Sequence, residues 1–508
     1  MIIYSNRSWS RCQMGQSTLT SSACRRAAPG LHYWRFCGEM AARKSHQPRS
    51  LMTNPSHSCS RREFLTVAAA TTAGIGLAAG AGAVALEPAI RRAKPGQQRV
   101  FGLRFPPLDK VRIGFIGVGS RGSSLLGNLL DVDGVEIKAV CDLVPDRVKS
   151  AQQRVVAKGQ PEPAGYTKGE TAFEALCRRD DLDLVYIATP WDWHVRMAVS
   201  AMKNGKHAAL EVPAALTLDE CWQLVDSAEL TRRHCLMLEN CCYGEIELLV
   251  LRMARQGVFG DLTHGEAGYL HESRDYLLQD ASAANWRRRF VATRNGNLYP
   301  THGLGPVAQY LGINTGDKFD YLVSMSSREQ ALSRRCESLP ADNPRRREHF
   351  ACGDLNTSLL KTALGRTIMV QFSLVLSRPY SRINLIAGTT GTFCDYPPRL
   401  HLDGQPEGWT IELKPYHEKY GHPLWKKLNA QAQQSGGHGG MDYVMNWRLI
   451  QCLREGLPLD LTVYDAAAWS SIVPLSIASV SKGSAPVAIP DFTRGAWRHQ
   501  PPGALAAG

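Results

Sequence analysis

From Val111 the chain alternates short apolar runs with amphipathic stretches. Val111–Ile116 reads Val-Arg-Ile-Gly-Phe-Ile, an apolar run interrupted by glycine, as expected of a buried parallel strand. Residues 123–130 then take helical spacing. Val135–Cys141 repeats the strand pattern, and residues 182–189 give another strand that stops at Pro190. After Trp191-Asp192-Trp193-His194 a helix closes at Lys203-Asn204-Gly205, with glycine in the terminating position. Residues 207–212 form the next apolar run, Thr217-Leu218-Asp219-Glu220 is a capping box opening a further helix, and residues 234–240 are a sixth strand-like run. This alternation predicts an α/β fold with a doubly wound parallel sheet, whose ligands lie at the carboxyl ends of the strands.

Beyond residue 243 the alternation stops. Strand-like segments at 261–270, 320–325, 367–376 and 381–388 come with turn signals between them. They predict an α+β domain with a mostly antiparallel sheet, one face covering the first domain and the other a natural surface for self-association. Residues 327–350 are arginine-rich and read as a surface excursion, 431–440 as a flexible glycine-rich loop, and 441–455 as a helix. The expected organisation is a leader and linker (1–107), a first domain (108–242), a second domain (243–497) and a tail (498–508).

Composition adds little to this picture, with 44% hydrophobic and 21% charged residues. Charge changes it more. The formal charge is +13, but residues 1–100 hold 14 Lys and Arg against 3 acids, leaving the rest nearly neutral. A nucleic-acid footprint is therefore not expected. The basic leader contains Ser60-Arg61-Arg62-Glu63-Phe64-Leu65 before a mild Ala- and Gly-rich apolar stretch, with small residues at Ala81, Ala83 and Ala85. That pattern resembles a twin-arginine export signal and predicts engagement of the export machinery and a periplasmic location, either cleaved or loosely membrane-tethered. Met52 is the expected start, which gives the signal a short basic region. Of 14 cysteines, four lie in the leader and no pair has zinc spacing, so buried reduced thiols are expected and no metal is called for.

The candidate chemistry begins at Gly117-Val-Gly119-Ser120-Arg121-Gly122, between strand and helix. Glycines at these positions permit a tight turn, close approach of a pyrophosphate, and close packing of helix on strand. The helix N-terminus supplies free N–H groups for the phosphates. Asp142 ends the second strand, 25 positions beyond Gly117, near the spacing of about 20 expected of a ribose-binding acid. An acid there repels a 2′-phosphate, so the expected cofactor is NAD.

Gly117 to Gly122, Trp191-Asp-Trp-His194, Glu211-Val-Pro213, Glu239-Asn240 and Tyr299-Pro-Thr-His302 together resemble glycoside hydrolase family 109. These are NAD-dependent α-N-acetylgalactosaminidases within the glucose–fructose oxidoreductase and inositol dehydrogenase superfamily. The resemblance covers residues 108–497 and implies that Ser120 and Arg121 touch the cofactor phosphates and Asp142 the adenosine ribose. Trp191, Asp192, Trp193, His194, Glu211, Val212 and Asn240 would line the nicotinamide end. Tyr269, Arg287 or Arg288, Tyr299, Pro300, Thr301, His302 and Tyr380 would meet the sugar of an oligosaccharide or glycoconjugate. His194, between strand end and helix, is expected to face the ligand.

One departure from the wider superfamily matters. Its dehydrogenases usually carry Glu-Lys-Pro, where lysine moves the hydroxyl proton; here the triplet is Glu211-Val212-Pro213. Valine carries no proton, so His302 is the expected acid–base residue, since a free imidazole side chain titrates near neutrality, with Tyr299 and Tyr269 as further catalytic candidates. The implied reaction is transient C3 oxidation by NAD+, elimination, water addition and re-reduction. Its net outcome is hydrolysis, which suits a compartment without an NAD pool. The competing readings are an exported sugar oxidoreductase and a non-catalytic sugar-binding protein.

Overall fold

The computed structural model describes residues 91–280, 282–503 and 505. The twin-arginine segment, its apolar stretch and the expected Met52 start lie outside them.

Six strands and five helices alternate from residue 111. They are β1 (Val111–Ile116), α1 (Ser120–Leu130), β2 (Val135–Cys141), α2 (Pro145–Ala157), β3 (Ala164–Tyr166), α3 (Ala172–Cys177), β4 (Leu184–Ile187), α4 (His194–Lys203), β5 (His207–Leu210), α5 (Leu218–Thr231) and β6 (Cys235–Met237). The strands pair in parallel in the order β3-β2-β1-β4-β5-β6. The order reverses at β1 and β4, which places the ligand crevice at their carboxyl ends. β4 and β5 are buried at every position, as strands covered by helices on both faces must be.

Ahead of β1, residues 91–103 are pinned to the domain rather than trailing from it. Arg91 and Gln97 donate to Asp226 of α5 at 2.9 and 2.7 Å, Arg232 donates to the Arg99 carbonyl at 2.6 Å, and Val100 N–H donates to the Tyr464 hydroxyl.

The second part opens with α6 (Glu245–Arg255) and continues through β7 (Leu262–Leu270), α7 (Ser282–Thr293), α8 (Thr301–Tyr310), β8 (Phe319–Ser326), β9 (Asn356–Thr362), β10 (Thr367–Ser373), β11 (Leu385–Gly388), β12 (Gly391–Cys394) and β13 (Arg399–Leu402). It closes with α9 (Pro423–Ser435), α10 (Met441–Glu455), α11 (Val463–Ser470), α12 (Ile472–Ser481) and β14 (Val487–Ala488). Eight strands form one sheet in the order β13-β12-β11-β7-β10-β9-β8-β14. β7 and β10 pair in parallel at its centre and the remaining pairs are antiparallel.

α8 packs on β7 and α12 on β8, so a helical layer covers the inner face of this sheet. Gly303 sets the closest approach: a Cβ there would lie 2.3 Å from the Gly268 nitrogen of β7. That contact holds the start of α8 against Tyr269. On the outer face Val323, Leu359 and Met369 fall in one cross-strand row, with Leu359 and Met325 exposed.

Two local expectations are corrected. Residues 431–435 belong to α9, and 436–440 form a hydrogen-bonded strap into α10, so 431–440 is not a free loop. Within 327–350, Leu332, Cys336 and Arg345 are buried, so that excursion is anchored to the domain. All ten cysteines among the described residues are free and buried.

Candidate active site

The glycine turn has the form a dinucleotide requires. Gly117 takes a φ of +86°, and a Cβ at Gly122 would lie 1.8 Å from the Gly117 carbonyl oxygen. Only glycine admits α1 this close to β1. Gly119 caps α1 without a side-chain partner, and the first turn contains no acid. Its N–H groups and positive dipole end are available to an anion beside the exposed Ser120. Asp142 accepts from Val118 N–H of the turn at 3.0 Å and from Val144 N–H at 3.0 Å. Arg147, which the sequence did not single out, lies 3.6 Å from the same carboxylate.

Arg121 is placed differently from expectation. Its Nε donates to Glu211 Oε1 at 2.7 Å, and its Nη1 and Nη2 donate to the two oxygens of Asp442 at 2.6 and 3.0 Å. Two carboxylates attract a guanidinium more strongly than an open turn does, so the head group spans the two domains instead of lying free over the phosphates. Burial works against its charge, but Asp442 and Glu211 hold its pKa well above the ordinary arginine value. Asp442 is completely buried, and Arg121 outweighs that burial to keep its pKa well below the carboxylate range. Asn240 Nδ2 donates to Asp442 Oδ1 at 2.7 Å, drawing the end of β6 into the group.

The nicotinamide-end residues divide. Trp191, Glu211, Val212 and Asn240 cluster at the carboxyl ends of β4, β5 and β6, with a cis peptide between Val212 and Pro213. His194 is corrected: it is wholly buried, with Nδ1 2.9 Å from the Pro213 carbonyl and Nε2 2.9 Å from the Thr189 carbonyl. A backbone carbonyl faces each ring nitrogen and the neutral ring can donate to one of them, so the ring is enclosed beneath the site and offers neither nitrogen to a ligand. Trp193 is also turned away, its ring edge-on to Phe173 and beneath the Arg196 guanidinium. Asp192 pairs with Arg289 at the rim.

The expected sugar residues form an aromatic box. Tyr299 stacks on Trp191 with centroids 5.4 Å apart, and Tyr269 lies 4.7 Å from Tyr299 and 5.9 Å from Tyr380. Arg287 sits over the rings of Trp286, Tyr299 and Trp191 at 5.0, 5.7 and 5.8 Å. Arg288 is excluded, because it pairs with Glu348 at 3.0 Å and donates to the Leu277 carbonyl on the far side of α7. Burial pushes the hydroxyls of Tyr299 and Tyr269 above the ordinary tyrosine value, with the nearby Arg287 acting in the opposite direction. Pro300 and Thr301 are buried and start α8, which delivers His302 to the box 4.9 Å from Tyr299 and 5.5 Å from Tyr269.

His302 has a partner missing from the expected site residues. Its Nδ1 lies 2.6 Å from Oε1 of Glu239, a fully buried carboxylate immediately before Asn240. Burial opposes the charge on Glu239, but His302 and the Cys241 backbone N–H hold its pKa below the usual carboxylate value. The pair is a His–carboxylate dyad that leaves Nε2 for a ligand. Cys241 completes a group whose donor atoms lie within 4.8 Å of one another, although the chain has no metal-ligand spacing. His271, Tyr396 and Arg382 extend the box beyond Tyr269 and Tyr380, and Trp286 extends it beside Trp191. Of the residues missed, only Glu239 had a signal, since it sits beside Asn240 in the same motif.

Comparison with known proteins identifies the fold and the family. Residues 111–238 match the family model described as oxidoreductase family, NAD-binding Rossmann fold, and residues 243–499 match glycosyl hydrolase 109, C-terminal domain. A glycosyl hydrolase family 109 protein of Solibacter usitatus (strain Ellin6076) is 51% identical over 446 residues, covering 87% of this chain and 99% of that protein. Glycosyl hydrolase family 109 protein 1 of Shewanella sp. (strain MR-4) is 48% identical over 460 residues, covering 88% and 98%.

Among solved structures, levoglucosan dehydrogenase in complex with NADH superposes with a TM-score of 0.57 at 18% identity, over 75% of this chain and 100% of that one. An inositol dehydrogenase homolog from Azotobacter vinelandii, complexed with NAD+, gives 0.58 at 18%, over 75% and 98%. These structures share the two-domain fold, an NAD-binding Rossmann domain followed by a sheet domain. The chain belongs to glycosyl hydrolase family 109.

Proposed function

We propose that this protein removes terminal α-linked N-acetylgalactosamine from an oligosaccharide or glycoconjugate through a redox cycle that leaves NAD unchanged. The observation that carries the reading is the pairing of a proton-inert Val212 with a His302–Glu239 dyad inside an aromatic box. Gly117, Gly119, Gly122 and the open N-terminus of α1 would hold the pyrophosphate, and Asp142 the ribose. Bound NAD+ supplies a hydride acceptor for C3 and returns that hydride at the end of the cycle.

The chain's own residues manage the protons. Glu239 fixes the His302 tautomer, so Nε2 takes the C3 hydroxyl proton. A C3 ketone acidifies the C2 hydrogen; a base takes that proton, the C1–O bond breaks and the departing oxygen is protonated. Water then adds across the C1–C2 double bond, its OH to C1 and its H to C2, before C3 is reduced again. Tyr269 and Tyr299, kept protonated by burial, enter as donors to the sugar oxygens. Arg287, charged and stacked over the box, adds a cation beside the oxygens that gain negative character. Two carboxylates flanking the glycosidic bond, the arrangement of ordinary glycosidases, are not invoked.

Incubation with p-nitrophenyl α-N-acetylgalactosaminide, with and without NAD+, tests this. Nitrophenol release with no net NADH, and deuterium at C2 when the solvent is D2O, are expected. Accumulation of NADH on free sugar instead makes the protein an ordinary sugar oxidoreductase, and silence in both assays makes it a binding protein. We also propose export through the twin-arginine route with the cofactor already bound, and self-association through the Val323–Leu359–Met369 face.

A further inference from the structure

We propose that the strap at 436–440, with Asp442, is a cofactor-retention clamp: the second domain locks the dinucleotide turn from outside and slows release of NAD. This rests on the NAD assignment and is independent of which bond the enzyme cleaves.

The strap is tied to both ends of α1. At the N-terminal end Arg121, in the first turn of the helix, meets Asp442 bidentately across 321 positions of sequence. At the C-terminal end Asn128 Nδ2 donates to Ser435 Oγ at 2.8 Å and to the carbonyls of Ser435 and Gly436 at 3.2 and 3.3 Å. Ser435 Oγ donates in turn to Asp131 at 2.8 Å. Between these anchors all five residues from Gly436 to Gly440 have positive φ, four of them glycine. A Cβ on Gly437 would lie 2.8 Å from Asp442 Oδ2 and 3.0 Å from Asn128 Oδ1, so the glycine admits the strap between the two anchors.

Asp442 gathers more donors than a helix start needs. Besides Arg121 it takes Asn240 at 2.7 Å and His438 Nδ1 at 2.9 Å. Arg121 also reaches Glu211 at 2.7 Å, so one buried carboxylate joins the glycine turn and the ends of β5 and β6. Tyr186 of β4 donates to Asn446 one turn further along α10, adding a fourth attachment. A pyrophosphate docks at the N-terminus of α1, whose Ser120 is exposed, and this assembly fixes the first turn of that helix against the second domain. Moving that turn off the dinucleotide requires separating a doubly bonded ion pair whose carboxylate is wholly buried, which is slow. His438, more than half exposed, stands at the rim. Asp442 is thus a positioning residue that acts through Arg121.

The test compares the full-length wild type with Asp442→Asn and Asn128→Ala. Each is loaded with NADH, and release is followed by nicotinamide fluorescence after dilution into excess NAD+, with a melting curve of the unloaded protein alongside. Asp442→Asn is expected to raise the release rate by on the order of tenfold or more, since a bidentate ion pair becomes a guanidinium–amide contact with one acceptor oxygen. Asn128→Ala, which leaves the turn untouched, is expected to raise it severalfold. Wild-type release rates in both variants overturn the clamp, even if they melt earlier. If Asp442→Asn does not fold, Asn128→Ala decides alone. A wild type that neither carries NAD through purification nor takes up NADH sinks the cofactor assignment itself, and the clamp with it.

Discussion

At the cofactor end Arg121, Glu211, Asn240 and Asp442 meet in one hydrogen-bonded group, one guanidinium shared by two carboxylates, drawing on both domains. At the aromatic end Trp191, Tyr269, Tyr299 and Tyr380 surround His302, and buried polar atoms are left over: Arg287 Nε and Glu239 Oε2 have no hydrogen-bond partner. Unsatisfied buried groups are costly and concentrate where a ligand is expected. The contrast teaches a division of labour. Under the proposed function, the first end would hold one dinucleotide through many cycles, and the unpaired groups of the second would meet the substrate.

The largest expected effect breaks the first end alone. Gly122→Ala sets a methyl group 1.8 Å from the Gly117 oxygen, which cannot be accommodated without moving α1 off β1. Complete loss of bound dinucleotide is expected, read by chromatography of the acid-released cofactor, together with loss of activity. Retained NAD in this variant contradicts the placement of the pyrophosphate.

The next change breaks the second end and spares the first. His302→Gln is expected to lower kcat by about 10²–10⁴-fold while the protein keeps its NAD, because the acid–base group goes and the turn is untouched. Glu239→Gln keeps the ring and loses its charged partner, so a smaller loss of roughly a hundredfold is expected. If His302→Gln sheds its cofactor, the two ends are not separable.

The same division governs what could be read from the chain. β1 and β2 run as expected, since strands buried on both faces are apolar almost throughout. β9 escaped because its inward positions are polar: Asn356 and Ser358 are buried and bonded to Ser324 of β8 at 2.9 Å each. An inward Asn-x-Ser inverts the alternation on which strand reading rests. The glycine turn, Asp142 and His302 were legible because each sits in a local motif. Asp442 was not, since its four donors come from Arg121, Asn240 and His438, and 202 positions separate it from Asn240. His194 was misplaced for a similar reason. Spacing put it at a strand end, but only the folded chain shows that the Thr189 and Pro213 carbonyls claim both nitrogens.

The smallest expected effect falls outside both ends and separates acid damage to the fold from acid inhibition of the site. His207 and His234, at the amino-terminal ends of β5 and β6, are buried with ring centroids 4.9 Å apart, beneath Phe105. The His234 N–H donates to His207 Nδ1, which therefore carries no proton in this arrangement. Burial, reinforced by Arg233, lowers the His234 pKa from 6.5 to about 4, and burial lowers that of His207 as well. Between those values the unfolded chain binds the proton and the folded one does not, so stability rises with pH. The contribution of His234 is fully present above pH 6.5 and is lost as the pH falls to about 4, amounting to about 3 kcal/mol. His234→Phe removes that slope, so its melting temperature should fall less than that of the wild type between pH 7 and pH 4.5. His302 and the charge pairs at Arg121 lie at the opposite ends of the strands, so the pH dependence of kcat in folded protein should be the same in both. A wild-type melting temperature as flat with pH as that of the variant would show that these histidines meet water, and that acid acts at the site first.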